Sequence, residues 1–415
     1  MSLIEASLGA SKTPEGAVII DFASLVGDDS TVPDLTAHIE EAFGEKDHCL
    51  GLVLVRNIPN LVAYRDALLD RTPGLAHLPA AEKDRLTDPG SRFLFGWSHG
   101  REMMNGKPDW RKGSFYANPV LDQPAALLSS SSSSSAAAAV VTDHALVEGY
   151  PEYYSGNSWP QEEHLPGFKE AFQELGQLIV QVGSLIAVHC DRYLAQKVPD
   201  YNPAFLQTLI KNSDTIKARL LHYFPESPPA DANTTTTNKD PTETTPPASK
   251  DDSPDFDSWC GWHLDHSCLT GLTAAKFIDT RSLAESERLG EAEMQYTSKQ
   301  LQTNLPAVAC PDPQAGLYIK TRSNKVVRVR IPDDALAFQT GEALEIVSAG
   351  RLLATPHCVR GISPNCPTNE ASGPPASSLS RNTFAVFIQP TVHDELCKGY
   401  TFAQFTKDVL NRHYH

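Results

Sequence analysis

The sequence is short of positive charge: 35 lysines and arginines stand against 51 aspartates and glutamates, for a net charge of −16. No basic stripe breaks the acidic background, so nucleic acid and anionic membrane are not expected as partners. No apolar run approaches the roughly 20 residues of a membrane span. The start, MSLIEASLGASKTPEG, has no basic stretch followed by an apolar one, so no secretory signal is read there. The eight cysteines are scattered and include no C-x-x-C pair. That argues for reduced thiols, against a disulfide framework or a zinc ribbon. A soluble, acidic, cytoplasmic monomer is expected.

Apolar residues make up 40% of the 415, ample for a large core. Two tracts carry almost none. Residues 129–139 are serines and alanines, and 226–255 (ESPPADANTTTTNKDPTETTPPASKDDSPD) are rich in Pro, Thr and Asp. Neither buries enough surface to offset its ordering entropy, so both are expected as disordered surface insertions. Between them, Phe168, Phe172, Leu175, Leu178, Ile179, Val182, Leu185 and Ile186 recur at three and four, which predicts a helix over 164–198. Residues 34–43 also read as helix, and 17–22 and 50–58 as buried strands. After 213 the texture changes. The stretches 218–225, 259–279, 316–322, 325–332, 336–350, 354–362 and 381–390 are β-branched, aromatic and bounded by turn residues. Such spacing predicts a sandwich or jelly roll.

Residues 259–271, WCGWHLDHSCLTG, set His263 and Asp265 among tryptophans and cysteines. A carboxylate in apolar surroundings is costly unless something pairs with it. H-x-[DE] occurs four times, at His38, His189, His263 and His393. With 14 histidines and 51 acidic residues, chance gives about 1.7 matches, so the tripeptide alone says little. On a strand, residues two apart share a face and can reach one ion; on a helix they do not. His38 and His189 fall in helical segments, and His189 reads as a core histidine with a hydrogen-bond partner. His393 reads as the solvated start of a C-terminal helix. Only His263 and Asp265 fall in a predicted strand. Two histidines and a carboxylate suit non-haem Fe(II), and His357 in ATPHCVRG is the candidate third ligand. Arg381 and Thr383, two apart in RNTFAVF, could grip a carboxylate by a guanidinium fork and a hydroxyl. A zinc site of Cys260, His263, His266 and Cys268 is the rival reading.

The second half resembles the iron- and 2-oxoglutarate-dependent dioxygenases, in the isopenicillin N synthase-like branch. That pattern, H-x-D, a distal H, then R-x-S, is matched by His263-x-Asp265, His357 and Arg381-x-Thr383. GEALEIVSAG (341–350) is similar to the family's G-D-x-L-E-x-x-S-x-G. AVIIDFASL and GLVLVRNIP resemble its first two strands. The resemblance implies an α+β, mainly β fold: a double-stranded β-helix (jelly roll) core with supporting helices and disordered insertions. It implies an N-terminal region over 1–215, a core over 216–392 and a helical tail over 393–415. It also implies Fe(II) on His263, Asp265 and His357, and 2-oxoglutarate as co-substrate with its tail on Arg381 and Thr383. Hydroxylation or desaturation of a small organic substrate with O2 would follow. Where the family has N-Y-Y-P, this chain has His222, Tyr223, Phe224 and Pro225. That removes a hydroxyl, with Tyr223 expected to face the other way. Two further insertions are read at 280–312 and 363–380. The alternatives are a non-catalytic jelly-roll binding protein, an iron oxidase without 2-oxoglutarate, and a cupin-type protein with another metal. Trp97, Phe115, Tyr116 and Asn118 are read either as substrate-facing or as loop packing. Arg101, Lys107, Arg111 and Lys112 are read as solvated, or as meeting an anionic substrate.

Overall fold

The computed structural model describes residues 11–27, 33–104, 107–128, 140–142, 144–225, 259–281, 305–363, 366 and 374–414. The tracts 129–139 and 226–255, read as insertions, lie outside the described residues, as does most of 280–312. Strands fall where β-branched and aromatic runs predict them. One large sheet orders Ser11–Lys12, Val18–Asp21, Leu52–Arg56, Ala335–Thr340, Leu269–Thr273, Leu379–Ile388, Lys217–Tyr223, Lys112–Ala117 and Gly96–His99. A second sheet orders Cys260–His263, His357–Arg360, Gly316–Lys320 and Val326–Val329. Strands from both sides of residue 215 share the large sheet.

The large sheet is buried on both faces, which explains why its strands read as nearly continuous apolar runs. Val53, Val55, Leu336, Phe338, Phe384 and Val386 face the helices. Their neighbours Leu52, Leu54 and Ala337 point the opposite way, onto Leu317, Ile319 and Val329 of the second sheet. This second apolar layer makes the two sheets a jelly roll. The Val18–Asp21 strand runs parallel to Leu52–Arg56, with the Thr36–Phe43 helix between them in sequence.

Phe168–Lys197 is a 30-residue helix laid against the large sheet. By length and composition it could cross a membrane, which the sequence reading did not register. Here its apolar stripe is core: Phe172, Leu175, Ile179, Val182 and Ile186 are fully buried. Each such side chain contributes roughly 1.5–3 kcal/mol. His189 lies on that stripe as expected, but its Nδ1 is buried without a partner among the described residues. Close approach of helix and sheet depends on glycine at 271, where a Cβ would stand 2.3 Å from Ile179 Cγ2 and 2.9 Å from Phe338 Cε1. Gly271→Ala should therefore cost about 1–3 kcal/mol by overpacking, read as a lower urea midpoint at unchanged slope.

Two expectations fail locally. The stretch 336–350 is a strand only to Thr340; Glu342–Val347 is a helix, because Gly341 breaks the strand and Glu-Ala-Leu-Glu favours helix. His393 does not start a helix: Glu395–Cys397 pairs with Tyr400–Thr401, and the terminal helix begins at Phe402.

Glu82 ties the Ala80–Leu86 helix to the loop at 161. It is buried, takes both Nε (2.9 Å) and Nη2 (2.7 Å) of Arg85, and accepts from the backbone of Gln161 at 2.8 Å. The Arg85 bonds, opposed by burial and helped by Gln161, pull its pKa down to about 2. A depressed carboxylate stabilises the fold above its unfolded pKa and loses that contribution as pH falls through the folded one. Glu82→Gln should cost on the order of 1.5–3 kcal/mol at pH 7. The gap to wild type should close between pH 4.5 and about 2. A gap independent of pH would show that the charge of Glu82 contributes nothing.

Candidate metal centre

The Cys260–His263 and His357–Arg360 strands pair so that His263 stands directly opposite His357, with a register irregularity between Cys260 and His263. The two imidazole centroids are 4.2 Å apart. Asp265 reaches them by a route the strand argument did not foresee. The strand ends at His263, and Asp265 sits in the loop that follows. That loop is fixed by the next helix: Glu342 N donates to Asp265 O at 2.8 Å, and Gly341 N to Cys268 O at 3.1 Å. A Cβ at 341 would lie 2.2 Å from Ser267 O, so the backbone crossing requires glycine.

His263, Asp265 and His357 each offer one ligand atom, all within 4.8 Å of one another. His263 Nε2 lies 3.6 Å from Asp265 Oδ1, and His357 Nε2 lies 3.9 Å from Oδ2. Ligands about 2.0–2.2 Å from a common ion are separated by comparable distances. The surroundings orient these groups for a metal. His263 Nδ1 is 2.7 Å from Gly261 O, and His357 Nδ1 is 3.0 Å from Thr355 O. Each Nδ1–H donates to a carbonyl, which makes Nε2 the ligand atom; on His357 that nitrogen accepts from Gln339 Nε2 at 3.0 Å, a bond an entering ion would displace. Asp265 Oδ2 accepts from Thr270 Oγ1 and from Gln339 Nε2, both at 2.7 Å, which leaves Oδ1 available.

Burial, then His263, push the His357 pKa down to about 4, so its imidazole stands neutral, as a metal ligand would need. Burial opposes ionisation of Asp265, but His357, His263 and the Thr270 and Gln339 donors hold its pKa below the usual carboxylate value. Burial opposes charge on His263 as well, yet Cys260 and Asp265 raise its pKa to about 9. A metal entering here displaces that proton. Gln339 and Thr270 were not singled out from sequence. The available signal was position: Gln339 is the one polar side chain in ALAFQ, and it stands opposite Thr270 in register.

The rival zinc set does not assemble. His266 turns away to Tyr153 Oη at 3.2 Å and to Phe402, and Cys268 is in the core. Cys260 alone stays near, with Sγ 3.8 Å from His263 Nδ1.

Arg381 and Thr383 share the barrel-facing side of the Leu379–Ile388 strand. Register places Tyr223 beside Arg381 and Leu221 beside Thr383. Tyr223 therefore faces the barrel, contrary to expectation. It is the last residue of its strand, and the Arg381 guanidinium lies 5.0 Å from its ring centre. Its neighbours take the opposite roles. His222 bonds Asn382 at 2.8 Å, and Phe224 packs on His99 and His222. Arg381 is buried, yet its Nε and Nη1 have no hydrogen-bond partner among the described residues. Burial pulls its pKa below the usual guanidinium value. A buried cation whose hydrogen-bond partner is Tyr223 and which has no carboxylate partner among the described residues is costly and calls for an anion. Thr383 Oγ1 donates to Thr273 O over a long 3.4 Å.

Of the aromatic candidates upstream, Phe115 packs on Phe168 and Phe172, and Asn118 caps the backbone of Val120 and Leu121. Trp97 is also in the core. Tyr116 donates to Glu102 at 2.9 Å. Lys112, read as solvated, is buried on Glu102 (2.9 Å) and Asp109 (3.3 Å). With Arg219, whose Nη2 donates to Glu102, these side chains put a charged row beside Tyr223.

No family model and no curated protein matches the chain. Solved structures do. A full-length protein of Neurospora crassa, in complex with alpha-KG and 5-formyluracil, aligns over 93% of this chain and 89% of its own, at 16% identity and a TM-score of 0.54. A protein of Caulobacter crescentus described as belonging to the 2OG-Fe(II) oxygenase family aligns over 95% and 98%, at 16% identity and a TM-score of 0.57. The chain has the jelly-roll fold of these oxygenases.

Proposed function

We propose that the protein is an Fe(II)- and 2-oxoglutarate-dependent dioxygenase that hydroxylates or desaturates a small organic molecule. The observation that carries this reading is the convergence of His263, Asp265 and His357 on one point, inside a barrel that also buries Arg381 with Nε and Nη1 unpartnered among the described residues. His263 and His357 present Nε2, and Asp265 presents Oδ1, as a three-point hold for Fe(II). Three protein ligands leave positions open for a chelating keto acid and O2. Fe(II) and 2-oxoglutarate would supply the oxidising chemistry, in which the keto acid becomes succinate and carbon dioxide. The protein's own groups do the rest. Thr270 and Gln339 keep Asp265 ionised and aimed. Arg381, with Thr383 beside it, fixes the remote carboxylate. Leu221, Trp259 and Ile362 wall that end against water.

The test is anaerobic titration of Fe(II) into the apo-protein, with and without 2-oxoglutarate, watching for the visible metal-to-ligand charge-transfer band. A band that needs both components is expected, followed by succinate release in air. Iron binding without the band would refute 2-oxoglutarate use, and no iron binding would refute the metal centre.

A further inference from the structure

The Arg381 pocket contains a second unpaired donor. Trp259 is 3% exposed, and its indole Nε1–H has no partner among the described residues. The residue directly precedes the strand that carries His263. Its ring stacks on Tyr223 at 5.0 Å between centroids, with the planes 29° apart. The Arg381 guanidinium carbon stands 5.5 Å from the Trp259 ring centre. Arg381 Nε and Nη1 and Trp259 Nε1 are thus buried donors without acceptors among the described residues, on neighbouring side chains, and Trp259 packs with Leu221, Ala315 and Ile362. Buried donors are almost always satisfied in native proteins, so a group of them marks a place for an acceptor. A carboxylate offers about four lone-pair sites and can take all three.

Thr383 Oγ1, on the same strand face as Arg381, is held only by a long 3.4 Å bond to Thr273 O. We infer that Trp259 donates its indole N–H to the remote carboxylate of 2-oxoglutarate, beside the Arg381 fork, and so helps select a dicarboxylic keto acid over a monocarboxylic one. This rests on the co-substrate reading above. Tyr223, stacked on Trp259 and under Arg381, holds both donors in place.

Trp259→Phe keeps the stacked ring and removes only the donor. In the Mn(II)-loaded protein, 2-oxoglutarate should bind about tenfold or more weakly in this variant. Binding of pyruvate, a keto acid with no second carboxylate, should not change. Wild-type affinity for 2-oxoglutarate, or equal weakening for both acids, would overturn the inference. A second measurement uses the unmutated chain. With ¹⁵N-labelled tryptophan there are five indole N–H signals, one for each tryptophan. The one missing from Trp259→Phe should move downfield when 2-oxoglutarate binds. A static signal in protein saturated with 2-oxoglutarate would overturn the role of Trp259 alone. Failure of wild type to bind 2-oxoglutarate at all would overturn the co-substrate reading itself.

Discussion

Asp265→Ala should abolish iron retention while leaving the chain folded. Asp265 is the one carboxylate in the triad, and its charge offsets part of the ion's own. Both of its immediate partners, Thr270 and Gln339, donate to Oδ2. Partners of that outer kind typically cost 10–100-fold in metal affinity when removed. Loss of the ligand itself should exceed that, so Fe(II) affinity should fall by more than about 100-fold. Folding should survive because the fixed points of the loop are backbone: Glu342 N on Asp265 O and Gly341 N on Cys268 O persist without the side chain. Iron content after gel filtration and a thermal melt check the two halves separately. Full iron loading in Asp265→Ala would sink the triad. Loss of cooperative melting would show that the carboxylate is structural first. Asp265→Asn sharpens the comparison, since it keeps the shape and removes the charge.

How the triad assembles marks the limit of the sequence. His263, Asp265 and His357 were legible because residue type and order narrow the choice among four H-x-[DE] matches. Strand parity pairs His263 with Asp265, but that is not how Asp265 is delivered. A register irregularity, a loop and a glycine crossing do it. Such features depend on contacts between 265–268 and 341–342, which no local pattern encodes. The Tyr223 reading failed for a related reason. Alternation from Phe224, where the family has its tyrosine, turns Tyr223 away, yet the face a strand presents is set by its neighbours' register. Here Tyr223 pairs with Arg381 and Lys112. Long apolar periodicity, by contrast, was decisive. The stripe from Phe168 to Ile186 is written in local spacing, and the helix stands where that spacing places it. Gln339 and Thr270 escaped notice because a polar residue in a strand has two faces to choose from. Only the assembled barrel shows that both turn inward to Asp265.

Arg381→Ala should weaken 2-oxoglutarate by roughly 30–150-fold, since a charge-assisted pair in a desolvated pocket is worth on the order of 2–3 kcal/mol or more. The same substitution should behave unusually in the apo-protein. Truncating a large buried side chain ordinarily costs stability through lost packing, and here the guanidinium also packs beside the stacked Tyr223 and Trp259 rings, 5.0 and 5.5 Å from their centres. Against that, the apo-protein keeps a buried cation with Nε and Nη1 unpaired. Removing such a charge relieves a desolvation penalty. The two effects oppose, so apo stability should change by less than a buried arginine ordinarily implies. The ligand-dependent part should change far more. A ligand at 100 times its Kd stabilises by about 2.7 kcal/mol, so 2-oxoglutarate should raise the melting temperature of Mn(II)-loaded wild type. The same concentration should barely move Arg381→Ala. A variant with the full ligand-induced shift would place the carboxylate elsewhere. A variant strongly destabilised without ligand would make Arg381 a packing residue whose unpaired donors are incidental.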